Sequence, residues 1–271
     1  MRTVAVVLAG GTGTRLYPAS RPDCPKQFRS FDGGPSLLSR AVERAAVADE
    51  TVVLTRPALA ERAAEHAPDA QILTEPAAKD TGPALAYAAH ELRDADALLC
   101  LPSDHYVAGP FERVARDGLR VAHETGALVT FGVEPTRPAT GYGYVRPGPE
   151  RTLDGATYHP VERFTEKPDP ETADRYCEQG SLWNAGLFAW RPDAFLAAAR
   201  DSPLAPLVDR LDDGAPAAGF AAVDPISVDY AVLERTDDAV VVPAPIEWDD
   251  LGAWDALARV LDADADGNVA L

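Results

Sequence analysis

Val4-Ala5-Val6-Val7-Leu8-Ala9-Gly10-Gly11-Thr12-Gly13-Thr14-Arg15-Leu16 is an apolar run that breaks, after Ala9, into a loop holding three glycines. A short apolar run closed by a glycine-rich turn reads as a buried strand. The loop is not a dinucleotide fingerprint, because GxGxxG anchored at Gly11 and Gly13 needs glycine where Leu16 stands. Nor is it a Walker A loop, since no Gly-Lys-Ser/Thr follows. What remains is a turn whose glycines let backbone N–H groups approach an anion closely. Arg15 stands at its end as a planar fork suited to phosphate. Lys26 follows in Arg21-Pro22-Asp23-Cys24-Pro25-Lys26-Gln27-Phe28.

Working outward, apolar runs at residues 4–8, 52–55, 71–74, 97–101 and 127–131 read as strands. Ala-rich segments with helical spacing lie between them at 37–47, 58–66, 83–92 and 111–123. That alternation predicts an α/β, Rossmann-like fold with a mixed, mostly parallel central sheet and helices on both faces. Such sheets bind ligands at the carboxyl ends of their strands, which directs attention to the segments after Leu8, Thr74 and Leu101. Beyond residue 132 the pattern loosens, with strands expected at 142–146, 161–165 and 186–190 and helices at 194–200 and 230–234. An exposed loop is expected at 212–219. One domain spanning 1–271 is the expected organisation.

The chain has 271 residues, with 25 Lys+Arg against 43 Asp+Glu, a formal net charge of −18. That sign argues against nucleic acid and anionic lipid as partners, because both are bound largely by phosphate neutralisation. A phosphate ligand must therefore be held by a local pocket of amides, cations or metal. No apolar stretch approaches a membrane span, and the amino terminus does not read as a secretory signal, so a cytoplasmic location is expected. Of the basic residues only Lys26, Lys79 and Lys167 are lysines. A GC-rich genome favours that bias, and so does the acidic, Lys-poor surface of a halophilic prokaryote. Cys24, Cys100 and Cys177 are too few and too far apart for a disulfide framework or a zinc site.

Leu8-Ala-Gly-Gly-Thr-Gly-Thr-Arg-Leu-Tyr-Pro-Ala-Ser-Arg-Pro-Asp-Cys-Pro-Lys-Gln-Phe28 resembles the signature of sugar-1-phosphate nucleotidylyltransferases. Its Ser-Arg-Pro…Pro-Lys-Gln-Phe form is similar to mannose-1-phosphate guanylyltransferases. Further resemblance runs along nearly the whole chain. Glu75-Pro-Ala-Ala-Lys-Asp-Thr-Gly-Pro-Ala84 is similar to the family's base-side loop, and Pro102-Ser103-Asp104-His105 to its metal loop. Thr140-Gly-Tyr-Gly-Tyr144, Phe164-Thr-Glu-Lys-Pro168 and Leu182-Trp-Asn-Ala-Gly186 are similar to its sugar pocket. Ser227-Val-Asp-Tyr-Ala231 and Trp248-Asp-Asp-Leu-Gly-Ala-Trp254 complete the set.

The resemblance implies attack of a sugar-1-phosphate oxygen on the α-phosphorus of a nucleoside triphosphate, with GTP, mannose-1-phosphate and Mg²⁺ as the expected substrates and cofactor. It implies nucleotide contacts from Leu8, Ala9, Gly10, Gly11, Thr12, Gly13, Thr14, Glu75, Asp80, Thr81, Gly82, Pro102 and Ser103, in a part spanning about 1–131. It implies sugar-phosphate contacts from Tyr142, Gly143, Glu166, Lys167, Asn184 and Asp229, in a part spanning about 132–261. Arg15, Lys26 and Asp104 are the expected catalytic residues, and Asp104 and Asp250 the expected metal carboxylates, with Asp249 competing for the second place. In a chain this rich in arginine, two of the three lysines fall at the two phosphate-facing motif positions. Lys26 is assigned to the triphosphate and Lys167 to the sugar phosphate, while Lys79 is expected to be peripheral. His105 adjoins Asp104 and either orients it or is structural.

The chain departs from the family pattern in three places. Asp80-Thr81-Gly82-Pro83 replaces Asn-Thr-Ala-Pro, so that the Asp80 carboxylate either pairs with guanine N1–H and N2–H₂ or caps a helix. Glu247-Trp248-Asp249 replaces Gly-Trp-Ser. Neither a C-terminal β-helix nor a cupin domain is expected, which leaves a homodimer open. The same chemistry with a thymidylyl or uridylyl donor and glucose-1-phosphate is the nearest alternative, and a non-catalytic sugar-nucleotide sensor is the alternative from another class.

Overall fold

Strand β1 (Thr3–Leu8) is buried almost throughout, as befits an apolar strand with both faces covered. It pairs in parallel with β2 (Glu50–Thr55), which pairs in turn with β3 (Gln71–Thr74). On its other side β1 pairs in parallel with β4 (Ala97–Pro102). Helices α1 (Leu37–Ala45), α2 (Ala60–His66) and α3 (Thr81–Glu91) make the crossovers. This computed structural model describes residues 1–11, 13, 16–21 and 24–261.

The rest of the chain extends the same sheet. It runs through β5 (Tyr106–Ala108), α4 (Phe111–Thr125), β6 (Leu128–Val133), β7 (Tyr144–Pro147), β8 (Arg151–Leu153) and β9 (Ala156–Thr165). After these come α5 (Pro170–Glu178), β10 (Leu182–Trp190), α6 (Pro192–Arg200), α7 (Ala205–Asp212) and α8 (Pro216–Ala221). Last are β11 (Ala239–Pro243), β12 (Glu247–Asp249) and α9 (Trp254–Val260). The ten-stranded sheet has the order β3-β2-β1-β4-β10-β6-β11-β9-β7, with β8 beside β9. Strand β10 enters antiparallel between β4 and β6, so its first residues lie at the carboxyl edge of the parallel strands. A separate antiparallel ribbon of β5 and β12 stands beside that edge.

Strand alternation divides the interior in two. Ala5, Val7, Leu99 and Leu101 face the α1 and α4 side, whereas Val4, Val6, Leu98 and Cys100 face the side of α3, α6 and α7. Helix α3 is short and Ala-rich, and its buried residues run from Gly82 to His90.

One expectation is corrected and one refined. Residues 212–219 are not one exposed loop: α7 continues to Asp212, and α8 starts at Pro216 and buries Gly219 and Phe220. The Ala/Gly/Pro composition reflects tight packing, because a Cβ on Gly219 would lie 2.8 Å from Leu207 Cδ1. The helix expected at 230–234 is a π-helical turn over Asp229–Leu233.

Gly118 lies inside α4, where propensity alone makes alanine the better residue by about 1 kcal/mol. Its missing side chain instead accommodates the Phe131 ring, whose Cζ and Cε1 an added Cβ would strike. Gly118→Ala is expected to lower stability by about 1–3 kcal/mol in urea unfolding. A gain in stability would contradict this packing.

Candidate active site

The glycine loop is held by side chains on either side of it. Gln27, fully buried, donates through Nε2 to the carbonyls of Ala9 (3.1 Å) and Gly11 (2.9 Å), and Thr55 Oγ1 donates to Ala9 O at 3.0 Å. The Ser103 amide donates to Leu8 O at 3.0 Å, which ties the end of β1 to the end of β4. A cavity of about 420 Å³ opens there, with Leu8, Gly10, Gly11, Arg56, Glu75 and Pro102 among the residues on its wall. Gly10 leaves room for Glu75, because a Cβ would stand 2.9 Å from Glu75 Oε1. Thr12, Thr14 and Arg15 lie outside the described residues.

Glu75 is buried, and its Oε2 has no hydrogen-bond partner. Burial pushes its carboxyl up to about 7, against the opposing pull of the Arg56 charge. Asp80, by contrast, is exposed and accepts from the Thr81 amide at 2.7 Å, so the capping alternative accounts for it. Thr81 Oγ1 accepts from the Val228 amide at 3.0 Å, and the Gly82 amide donates to Ile226 O at 3.0 Å. The segment 75–84 is thus fastened to the turn that carries Asp229. Lys79 is peripheral, donating to Val223 O at 3.0 Å.

Lys26 occupies the junction between the loops. Its Nζ lies 3.1 Å from Asp104 Oδ2 and donates to the carbonyls of Asp250 and Leu251, both at 3.0 Å. These three acceptors match its three protons. Asp249 and Asp250 are distinguished by their partners. Asp249 is buried and takes two hydrogen bonds from Arg259, at 2.9 and 2.7 Å, whereas the Asp250 carboxylate accepts from the Gly252 amide at 2.9 Å and from Tyr142 Oη at 3.4 Å. His105 Nδ1 accepts from Trp248 Nε1 at 3.1 Å, so that nitrogen is unprotonated, and burial lowers the pKa of the ring.

The motifs at 140–144, 164–168 and 182–186 meet through strand register. Trp183 pairs with Tyr144, and Tyr144 with Thr165, so Asn184, Gly143 and Glu166 each stand one residue from that row, at one corner. A Cβ on Gly143 would collide with Glu166 Oε2, so a larger residue there would displace the Glu166 carboxylate. Asn184 donates to Asp229 Oδ1 at 2.8 Å and accepts from Thr130 Oγ1 at 2.8 Å. Glu166 is buried with Oε2 unpartnered, and its Oε1 receives the half-exposed Lys167 Nζ at 2.5 Å. Burial alone would lower the Lys167 pKa, but the hydrogen bond and charge of Glu166 carry it above its ordinary value. Tyr142 is turned inward, with its ring edge-on to Trp183 and Trp248 and its hydroxyl toward Asp250.

A family model described as nucleotidyl transferase matches residues 4–267. The chain is 36% identical to a mannose-1-phosphate guanylyltransferase of Salmonella montevideo, covering 97% of this chain and 61% of that protein. It is 38% identical to the xanthan biosynthesis protein XanB of Xanthomonas campestris, covering 97% and 60%. The chain thus spans about three fifths of the length of these curated relatives. A crystal structure described as mannose-1-phosphate geranyltransferase from Thermus thermophilus superposes with a TM-score of 0.87 at 37% identity, covering 96% of this chain and 79% of that one. UDP-glucose pyrophosphorylase complexed with UDP-glucose shares the fold at a TM-score of 0.65 and 14% identity, covering 95% and 96%.

The chain belongs to the nucleotidyl transferase family.

Two residues of this nucleotidyl transferase's site carry no assignment from sequence. Gln27 lies inside the quoted Pro-Lys-Gln-Phe run, but only its burial reveals it as the clasp of the loop. Arg56 follows β2, and the carboxyl-end rule applied to that strand would have found it.

Burial raises the Asp229 carboxyl from 3.8 to about 7, with the Glu166 charge adding to the effect. The folded state then binds more protons than the unfolded state between those values, so stability falls as pH rises from about 4 to about 7. Asp229→Asn is expected to match wild type near pH 4 and to exceed it by about 2 kcal/mol at pH 8. Parallel stability–pH curves for the two proteins would refute this.

Proposed function

We propose that the protein transfers a guanylyl group from GTP to mannose-1-phosphate, releasing pyrophosphate and forming GDP-mannose. The observation that carries this reading is the meeting of three motifs at Lys26, which joins the glycine-loop side to Asp104 and to the turn of Asp250. A nucleoside-sized cavity and a polar sugar corner flank this junction. The chain's similarity to mannose-1-phosphate guanylyltransferases supports the choice of substrates.

An oxygen of the sugar phosphate attacks the α-phosphorus, a new P–O bond forms, and the bond to the β-phosphate oxygen breaks. The nucleophile is already an anion, so no general base is needed. Catalysis consists of bringing like-charged phosphates together and stabilising charge at the α-phosphate. The glycine-loop amides cradle the triphosphate. Lys26 exchanges one of its protein acceptors for a phosphate oxygen, while Lys167 holds the sugar phosphate. Glu166, Asn184 and Asp229 bind sugar hydroxyls, and Gly143 lets the ring approach the backbone.

Asp104 and Asp250 would hold Mg²⁺, which when bound neutralises charge on the transferring phosphate. Among the described residues no group of three or more His, Cys, Asp or Glu forms a metal cluster. Two carboxylates nevertheless fit Mg²⁺, which keeps its waters and shares substrate phosphates. Asp249, committed to Arg259, is left out of this set.

The primary test is pyrophosphate release across four nucleoside triphosphates and mannose-, glucose- and N-acetylglucosamine-1-phosphate, at low and molar KCl. The strongest signal is expected from GTP with mannose-1-phosphate, and a different best pair would overturn the substrate assignment. Asp104→Asn keeps an acceptor for Lys26 but removes its counter-charge, so it is expected to cost at least about 100-fold in turnover and to lower the melting temperature while the chain still folds cooperatively. Lys167→Arg is expected to lose about 10-fold despite conserving charge, and wild-type kinetics would remove Lys167 from the phosphate site.

A further inference from the structure

Arg56 and Glu75 stand on the wall of the same cavity, at the ends of β2 and β3, and neither is spent on the protein. Arg56 Nε and Glu75 Oε2 are both buried without hydrogen-bond partners. Among the described residues no hydrogen bond or ion pair engages the Arg56 guanidinium, which makes none with Glu75 either. Opposite charges facing one buried space ordinarily close on each other, because a buried unpaired charge is costly. Here no hydrogen bond or ion pair joins them, although the Arg56 charge still opposes the rise of the Glu75 pKa. A ligand that serves both must present acceptors to the guanidinium and donors to the carboxylate.

Guanine does so on adjoining edges. Its O6 and N7 accept a forked pair from arginine, and its N1–H and N2–H₂ offer two donors to a carboxylate. Adenine places an amino group at the first edge and an acceptor at N1, so it mismatches both side chains. Pyrimidines lack the N7 acceptor. We propose that Arg56 is a specificity residue that reads O6 and N7 of the guanine while Glu75 takes N1–H and N2–H₂. The assignment rests on the guanylyl-transfer reading and adds to it a base reader outside every motif quoted from the sequence. The raised pKa of Glu75 agrees with a carboxylate that is waiting for donors.

The test compares kcat/KM for GTP, ITP, 7-deaza-GTP and ATP in wild type, Arg56→Met and Glu75→Gln, with melting curves for each. In wild type, loss of N7 or of the 2-amino group is each expected to cost about 10-fold. Arg56→Met is expected to lose about 10- to 100-fold with GTP and to become indifferent to 7-deaza substitution, while still discriminating against ITP. Glu75→Gln should show the converse pattern. A wild type that favours GTP, with an Arg56→Met that still penalises 7-deaza-GTP, overturns the Arg56 assignment alone. A wild type that prefers another base overturns the guanylyl reading and this inference together. If Arg56→Met does not fold, Arg56→Lys serves in its place. A point charge without the fork should lose the N7 sensitivity, and retaining it would count against the assignment.

Discussion

An ammonium group almost removed from water has to be compensated in full, and Lys26 achieves this with acceptors that lie far away in the chain. The Asp104 carboxylate comes from the end of β4, and the two carbonyls come from Asp250 and Leu251. The neighbouring residue, Gln27, clasps the glycine loop. From the opposite side, the β5–β12 ribbon and the Asp249–Arg259 pair fix the turn in which Asp250 stands. Leu251 adopts φ of 46°, an unfavourable conformation for leucine, while its side chain packs in a small core with Leu16, Leu37 and Leu257. The carboxylates of Asp104 and Asp250 are therefore held from both ends of the chain.

Much of the sheet was legible because short continuous apolar runs and Ala-rich helical spacing alternate clearly in the first 131 residues. The expected elements there differ only at their ends, with β3 covering 71–74 as read and β6 shifted to Leu128–Val133, but the short strand β5 was not read. In the second half local pattern was a poor guide. The Val-rich β11 was not read, although it pairs with β6 on one side and β9 on the other. Residues 216–221 look like a loop until their small side chains are seen to fit against α7.

The site shows a similar division. Motif residues could be placed together from resemblance, but the use of each side chain could not. Asp80 caps a helix through one oxygen while lining the cavity, Tyr142 joins an aromatic cluster, and Asp249 is held by an arginine. Glu75 and Glu166, with buried and unpartnered oxygens, keep free capacity for a ligand. Which carboxylates are committed and which are available depends on three-dimensional hydrogen bonding.

The insertion of β10 between β4 and β6 also bears on how the chain comes to be folded. A nascent chain emerging from the ribosome presents β1 to β6 well before residue 182. Until β10 arrives, β4 and β6 each expose an unpaired edge in what will be the middle of the sheet. Open edges rich in valine and leucine are templates for pairing with other chains. The strand that carries Asn184 thus also closes the seam between β4 and β6.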